Sequence, residues 1–215
     1  IIPGVEDRAS LEGDTFDIGY TLGALYEYSD QTRFGIGYRS QVKHKLKGDI
    51  KFEGLMLPAN QDISARITTP ANLTIGAYHD INDKWSVMAE FGRTYWSSFD
   101  TLDIYGENNG KMSTTEERWK DTTFYAIGAS YQYNDQWKFR VGFAVDQSAV
   151  GQEYRTPRIP DSDRLWYSSG IEYKYNDDWT FNLGYTYIRA DKGKVKLLGY
   201  HDGDNARGSL QADYE

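Results

Sequence analysis

Trp137-Lys138-Phe139-Arg140-Val141-Gly142-Phe143-Ala144-Val145 divides cleanly into two sets of alternate residues. Trp137, Phe139, Val141, Phe143 and Val145 are large and apolar, whereas Lys138, Arg140, Gly142 and Ala144 are charged or small. A β-strand sends successive side chains to opposite faces, so this stretch is a strand with one greasy face and one polar or small face. It follows the turn Tyr133-Asn134-Asp135-Gln136, and the same wording returns at Tyr175-Asn176-Asp177-Asp178-Trp179. The strand after Trp179 sets Phe181, Leu183, Tyr185 and Tyr187 on one side. A looser copy runs Asp80-Ile81-Asn82-Asp83-Lys84-Trp85, then Val87, Ala89 and Phe91. The unit of the chain is a repeated hairpin.

The same alternation extends outward in both directions. Residues 1–14 read as loop, and a first strand runs from about Thr15 to Tyr28 with Phe16, Ile18, Tyr20, Leu22, Ala24 and Tyr26 on its greasy face. A second runs from Arg33 to about Lys47, followed by a longer loop to Asn60. The third, about Ile63 to His79, is interrupted by Pro70, which cannot donate to a ladder and marks a bulge or strand end. A long fourth strand covers about Trp85 to Tyr105, with a polar loop at 106–117. The fifth spans Asp121 to Tyr133, the sixth is the opening stretch, and 147–163 is a proline-containing loop. The seventh is Arg164 to Tyr175; the eighth follows Trp179, and after a loop at 191–207 a ninth begins.

No apolar run approaches the roughly 18 to 20 residues of a membrane-spanning helix, but a barrel strand crosses with about 9 to 11 alternating residues. The turns near Asp30, Asp80, Asp135 and Asn176 are short, and the connections near residues 50, 110, 155 and 200 are long. Short turns at one end and long loops at the other are the pattern of an outer-membrane barrel. Trp85, Trp137 and Trp179 each follow a short turn, where an interfacial aromatic girdle lies, and Tyr133 and Tyr175 precede two of them. The competing reading is a soluble barrel or sandwich with its greasy face inward. Glycines crowd the polar face (Gly19, Gly23, Gly35, Gly37, Gly128, Gly142, Gly170, Gly184) while the greasy face is continuously large, which favours lipid outside and a polar lumen inside. The fold class is therefore all-β, an antiparallel up-and-down transmembrane β-barrel with about eight to nine strands present. With 24 Lys and Arg against 32 Asp and Glu, the formal charge of -8 argues against a nucleic-acid partner.

Three stretches resemble one family. Arg33-Phe-Gly-Ile-Gly-Tyr-Arg-Ser-Gln-Val-Lys-His44, with its Tyr-Arg-Ser-x-Val-x-His core and Gly13-Asp14-Thr15 upstream, is the most specific. Pro70 to Phe99, ending Thr94-Tyr95-Trp96-Ser97-Ser98-Phe99, is the second, and Ile159-Pro160-Asp161-Ser162-Asp163-Arg164-Leu165-Trp166-Tyr167-Ser168-Ser169-Gly170 is the third. They are similar to segments of the outer-membrane long-chain fatty acid and hydrocarbon transporters of the FadL/TodX type, in family order. The resemblance implies passive uptake of long hydrophobic molecules across the outer membrane of a Gram-negative bacterium. It also implies a monomer surrounded by outer-membrane lipid and lipopolysaccharide. It further implies a barrel of about fourteen strands plugged by an N-terminal hatch, so that residues 1–215 would be the C-terminal portion, without hatch or final strand end. Family members can double as phage receptors, so a receptor or adhesin whose long loops bind a phage or host partner is the alternative.

Candidate ligand contacts follow from alternation. Arg39, Lys43, Lys138 and Arg140 fall on the inward face and are available to a carboxylate head group. They are equally placed to pair with inward Asp17, Glu27, Glu90, Asp146 and Glu172, which is the commoner state of charges in a polar lumen. Phe124 and Trp166 are large residues on the otherwise small inward face, suited to an apolar ligand or to filling space. Arg164, beside Asp161 and Asp163, reads as a loop-anchoring ion pair, and Arg93 falls on the lipid face, where it calls for a bulge or a snorkelling position. His44, His79 and His201 form no catalytic constellation with Ser or Asp, so no enzyme activity is expected. No metal cluster or phosphate-binding glycine loop is written in the sequence, so no cofactor is expected.

Overall fold

The computed structural model describes residues 8–53, 61–106, 110–152, 154–155, 159–198 and 209–214. Eight antiparallel strands form one sheet, the wall: β2 (Thr21–Ser29), β3 (Thr32–Arg39), β6 (Asn72–Asp80), β7 (Trp85–Thr94), β10 (Thr122–Gln132), β11 (Trp137–Asp146), β12 (Arg164–Lys174) and β13 (Thr180–Ala190). Each is 8 to 11 residues long, the length a tilted strand needs to cross a bilayer.

A second, five-stranded sheet holds β1 (Arg8–Asp14), β4 (Val42–Glu53), β5 (Gln61–Thr69), β8 (Thr101–Tyr105) and β9 (Lys111–Glu116). Its order, β1-β4-β5-β8-β9, repeats that of β2-β3-β6-β7-β10 in the wall. Each of its strands is thus a wall strand continued past a common break, at residues 15–20, 40–41, 70–71, 95–100 and 117–121. Pro70, lacking an N–H, ends β5 as its chemistry requires. On the neighbouring strand the buried Ser40 donates its N–H to Tyr20 O (2.9 Å) and accepts the Tyr20 N–H on its Oγ (3.0 Å). Tyr95 N–H reaches Ala71 O (2.9 Å) across the same seam. Beyond it, a Cβ on Gly48 would run into the Glu12 carbonyl, so the approach of β1 to β4 requires glycine there.

Several expectations change here. Residues 8–14 form a strand rather than loop, and the first wall strand begins at Thr21 rather than Thr15. The expected second and fourth strands are each two strands in different sheets. The connection after Lys47 continues as β4 to Glu53, and the tip of that hairpin lies outside the described residues. The 106–117 connection contains β9. After β13, the expected loop includes β14 (Gly193–Leu198), and the ninth strand is β15 (Ser209–Tyr214), which pairs with β14 in a separate ribbon and does not join the wall. The alternating pattern misses the break because it runs through the seam without a change of period.

The four short turns share one chemistry. Asn82, Asn134 and Asn176 each accept two backbone N–H groups on Oδ1, those of Lys84 and Trp85, Gln136 and Trp137, and Asp178 and Trp179, at 2.8–3.0 Å. Ser29 Oγ does the same for Gln31 and Thr32. These Asx and Ser turns reverse the chain without a glycine. Around them the aromatic side chains form a girdle: Trp85 packs on Tyr131 (4.6 Å between ring centroids) and Trp137 on Tyr173 (4.4 Å), with Tyr133 and Phe139 between.

Among the described residues only Ala71, Ala144, Ala149 and Val150 are buried apolar side chains. Val141, Ile127 and Leu183 are 62%, 64% and 72% exposed on the outer face of the wall. A soluble sandwich would bury these residues, so the greasy face points outward, into lipid.

Asn134→Ala removes the oxygen that accepts both turn-closing bonds and is expected to lower the unfolding free energy by about 1 kcal/mol, while Asn134→Asp keeps it within a few tenths. Urea midpoints of the protein in detergent micelles check this.

Candidate functional site

Strand pairing stacks the inward residues in rows that run across the wall. One row carries Gly23, Gly37, Thr74, Gly92, Phe124 and Asp146. The next carries Leu25, Gly35, Gly76, Glu90, Ala126 and, past Ala144, Trp166. Below it stand Arg33, Tyr78 and Met88 beside Gly128 and Gly142. The small residues hollow this face into a trough of about 600 Å³, with Leu25, Met88, Tyr78, Arg33, Glu90 and Arg140 projecting along it.

The sequence-derived candidates occupy successive levels of this face. Arg39 lies at the seam end, on the row of Thr21 and Asn72. Phe124 comes next, its Cβ seated where a side chain on Gly92 would stand, and Trp166 follows one row on. Arg140 is two rows further, and Lys138 stands nearest the short turns, opposite Glu172. From the row of Arg39 to that of Lys138 is ten residues along β10, roughly 30 Å. The structure therefore arranges them as a track rather than a single pocket. Lys43 is not on it: the two-residue break at 40–41 carries it into β4, where it is exposed opposite Thr68.

The charges on this track are in part mutually satisfied. Arg140 bonds the Glu172 carboxylate and reaches Asn182 Oδ1 (3.4 Å). Arg33 lies over the Tyr78 ring at 4.2 Å, a cation–π contact that alternation alone does not disclose. Asp146 pairs with Arg164 (3.1 Å) rather than with a basic residue of the track, and Asp17 pairs with His44 (3.0 Å). Leu25, Tyr78 and Met88 were missed as candidates; the signal that picked out Phe124 and Trp166, a large residue on the inward face, applies to them equally.

Arg164 is the anchor its position suggests. It holds Asp146 and also Asp161 (3.4 Å), while Asp161 accepts the Ser148 hydroxyl (2.9 Å) and the Ala149 N–H (3.2 Å). Asp163 does not face Arg164; it accepts the Ser148 N–H at 2.7 Å. The 147–163 connection is thereby pinned to the mouth of the wall. Arg93 turns to the rim, where it meets Thr123 Oγ1 (2.8 Å) and Asp121 (3.4 Å), which is the snorkelling position. Nearby, Trp119 packs edge-on against Trp96 and Phe99, each at 4.9 Å, and donates its indole N–H to the buried Glu117 (2.9 Å). Burial pushes the Glu117 carboxyl above its ordinary range, against the lowering effect of that bond.

Residues 3–215 match the family described as outer membrane protein transport protein (OMPP1/FadL/TodX). The chain belongs to this family. It is 32% identical over 172 residues to a long-chain fatty acid transport protein of Escherichia coli O6:H1, covering 73% of this chain and 39% of the relative. It is 30% identical over 170 residues to a 47 kDa outer membrane protein of Pasteurella multocida, covering 73% and 40%. The fold matches a Pseudomonas aeruginosa FadL homologue with a TM-score of 0.81 at 26% identity, covering 91% of this chain and 48% of that one. It also matches the Pseudomonas putida toluene transporter TodX with a TM-score of 0.62 at 25% identity, covering 90% and 49%. The chain thus spans less than half the length of these FadL/TodX relatives. It is an outer-membrane β-barrel protein, and the eight-stranded wall is part of such a barrel. With short turns on the periplasmic side, the second sheet stands on the extracellular side.

Arg164→Ala should free the 147–163 connection, raising its rate of limited proteolysis on the order of tenfold with the wall intact by heat-modifiable migration. Glu117 gives a pH test. Its folded carboxyl keeps the proton to higher pH than the unfolded chain does, so its contribution to stability is full below the ordinary value of 4.5 and is lost as the pH rises through its raised value. Glu117→Gln is expected to be the more stable form at pH 7 and to lose that advantage below about pH 4.5.

Proposed function

We propose that this chain is the C-terminal portion of a barrel that passively takes up long-chain fatty acids or other hydrophobic compounds across the outer membrane. The observation that supports the reading is the inward track. Phe124, Trp166, Met88 and Leu25 offer apolar contact at staggered levels, and glycine leaves room beside them. Cations lie at both ends, Arg39 near the seam and Arg140 with Lys138 near the short turns. A long amphiphile moving along such a face always has an apolar surface beside its tail and, at either end, a charge for its head. The named transport of long-chain fatty acids and of toluene by relatives favours the same substrate class. Among the described residues, β2 and β13 end the sheet with unpaired edges, and lipid tolerates none. Further strands of the full-length protein join there, and an N-terminal hatch fills its lumen.

The full-length protein, expressed in a Gram-negative strain lacking its own long-chain fatty acid transporter, is expected to restore growth on oleate. Phe124→Ala is expected to lower the oleate uptake rate several-fold with unchanged protein level, since a large aromatic face leaves the track. A correctly inserted, heat-modifiable protein that supports no uptake of oleate or of an aromatic hydrocarbon would overturn the proposal.

A further inference from the structure

The lipid-facing side of the wall is not uniformly large. On β6, β7 and β10 the outward positions Ala77, Ala89 and Ala129 are small, and Ala77 pairs directly with Ala89. Their neighbours in the same two rows are Phe34, Val87, Ile127 and Phe143. The result is an apolar trough of about 670 Å³ in the outer surface, lying back to back with the inner one. One row toward the seam it is closed by Ile75 and by Phe91, whose ring packs against Tyr125 at 5.5 Å. Toward the short turns the next row holds Trp85, Tyr131 and Phe139, and at the β3–β6 corner of the trough Thr32 Oγ1 and His79 Nδ1 share a hydrogen bond of 2.8 Å.

We infer that this trough holds one acyl chain of a phospholipid from the periplasmic leaflet, with the head group beside Thr32 and His79. Three observations select that occupant. The trough is continuous with the membrane-facing surface, so what fills it comes from the bilayer. Its polar corner, Thr32 with His79, lies one row from the Trp85–Tyr131 girdle, where head groups begin, so the occupant is an amphiphile with its tail pointing toward the seam. The pairing of β3, β6, β7, β10 and β11 is unbroken behind it, so a molecule inside the barrel does not reach it. A second copy of the chain is a poor occupant, because a two-fold contact would set hollow against hollow and leave both unfilled. Filling the hollow restores the dispersion contacts that the three alanines leave unmade, which is why this lipid stays longer than its neighbours.

The test is native mass spectrometry of the full-length protein extracted in detergent with added 1-palmitoyl-2-oleoyl phosphatidylethanolamine. One retained phospholipid per chain is expected, with retention reduced about tenfold by Ala89→Phe, which fills the trough. The same addition at Ala24→Phe, outward on β2 and away from it, should leave retention unchanged. If Ala89→Phe does not give the folded, heat-modifiable band, Ala77→Leu serves in its place. No retained phospholipid in the parent protein, equal retention in the filled variant, or equal loss in the Ala24→Phe control overturns the proposal. A retained fatty acid is distinguished by mass, belongs to the lumen and does not count as support.

Discussion

Hydrocarbon offers the peptide group no hydrogen-bond partner, so a strand inside a membrane must be paired by its neighbours over its whole crossing. The wall obeys this from β2 to β13, where each ladder runs from turn to rim, with one register shift at Glu27/Ser29 beside a short turn. Irregular backbone is confined to the two ends. At the periplasmic end, Asn82, Asn134, Asn176 and Ser29 supply the acceptors that the ladder no longer provides. At the other end, five strands break together, and side chains such as Ser40 take over where the regular pairing stops.

The same constraint sorts the side chains. The outer face must resemble its solvent, so Ile127, Val141 and Leu183 are as exposed as surface lysines are in a water-soluble protein. The inner face is hollowed by its glycines, with a few large residues projecting along the trough. Inward charges are costly unless paired, which accounts for Arg140 meeting Glu172 and Arg33 settling over Tyr78. Where large residues lapse on the outer face, at Ala77, Ala89 and Ala129, lipid must fit the protein instead of the reverse.

Above the seam the rules relax, because water again satisfies backbone and side chain alike. There the second sheet carries charge on its surface: Asp103 accepts from Lys111 (3.0 Å) and Thr114 (2.9 Å), and the ammonium of Lys111 holds its carboxyl below the usual range. Arg66 lies over Tyr105 at 5.1 Å. At the same end of the wall, Arg164 ties Asp161 of the 147–163 connection to Asp146 of β11.

By itself the sequence determined which residues meet lipid and which face inward, because a period of two is a local property that every wall strand imposes on its neighbours. It determined the short turns too, since an asparagine before Trp85, Trp137 or Trp179 closes its turn within four residues. Phe124, Trp166, Arg140 and Lys138 were legible as inward residues for the same reason. Lys43 was not legible, because its placement depends on a break between Arg39 and Val42 that changes no local pattern. The break exists only because five strands, distant in sequence, stop at one level set by the edge of the bilayer. The partners of Asp146 and Arg33 likewise come from strands brought together by pairing. Alternation is written residue by residue, whereas the seam, the track and the ion pairs are decided by register between strands, and register is fixed only when the sheet is assembled.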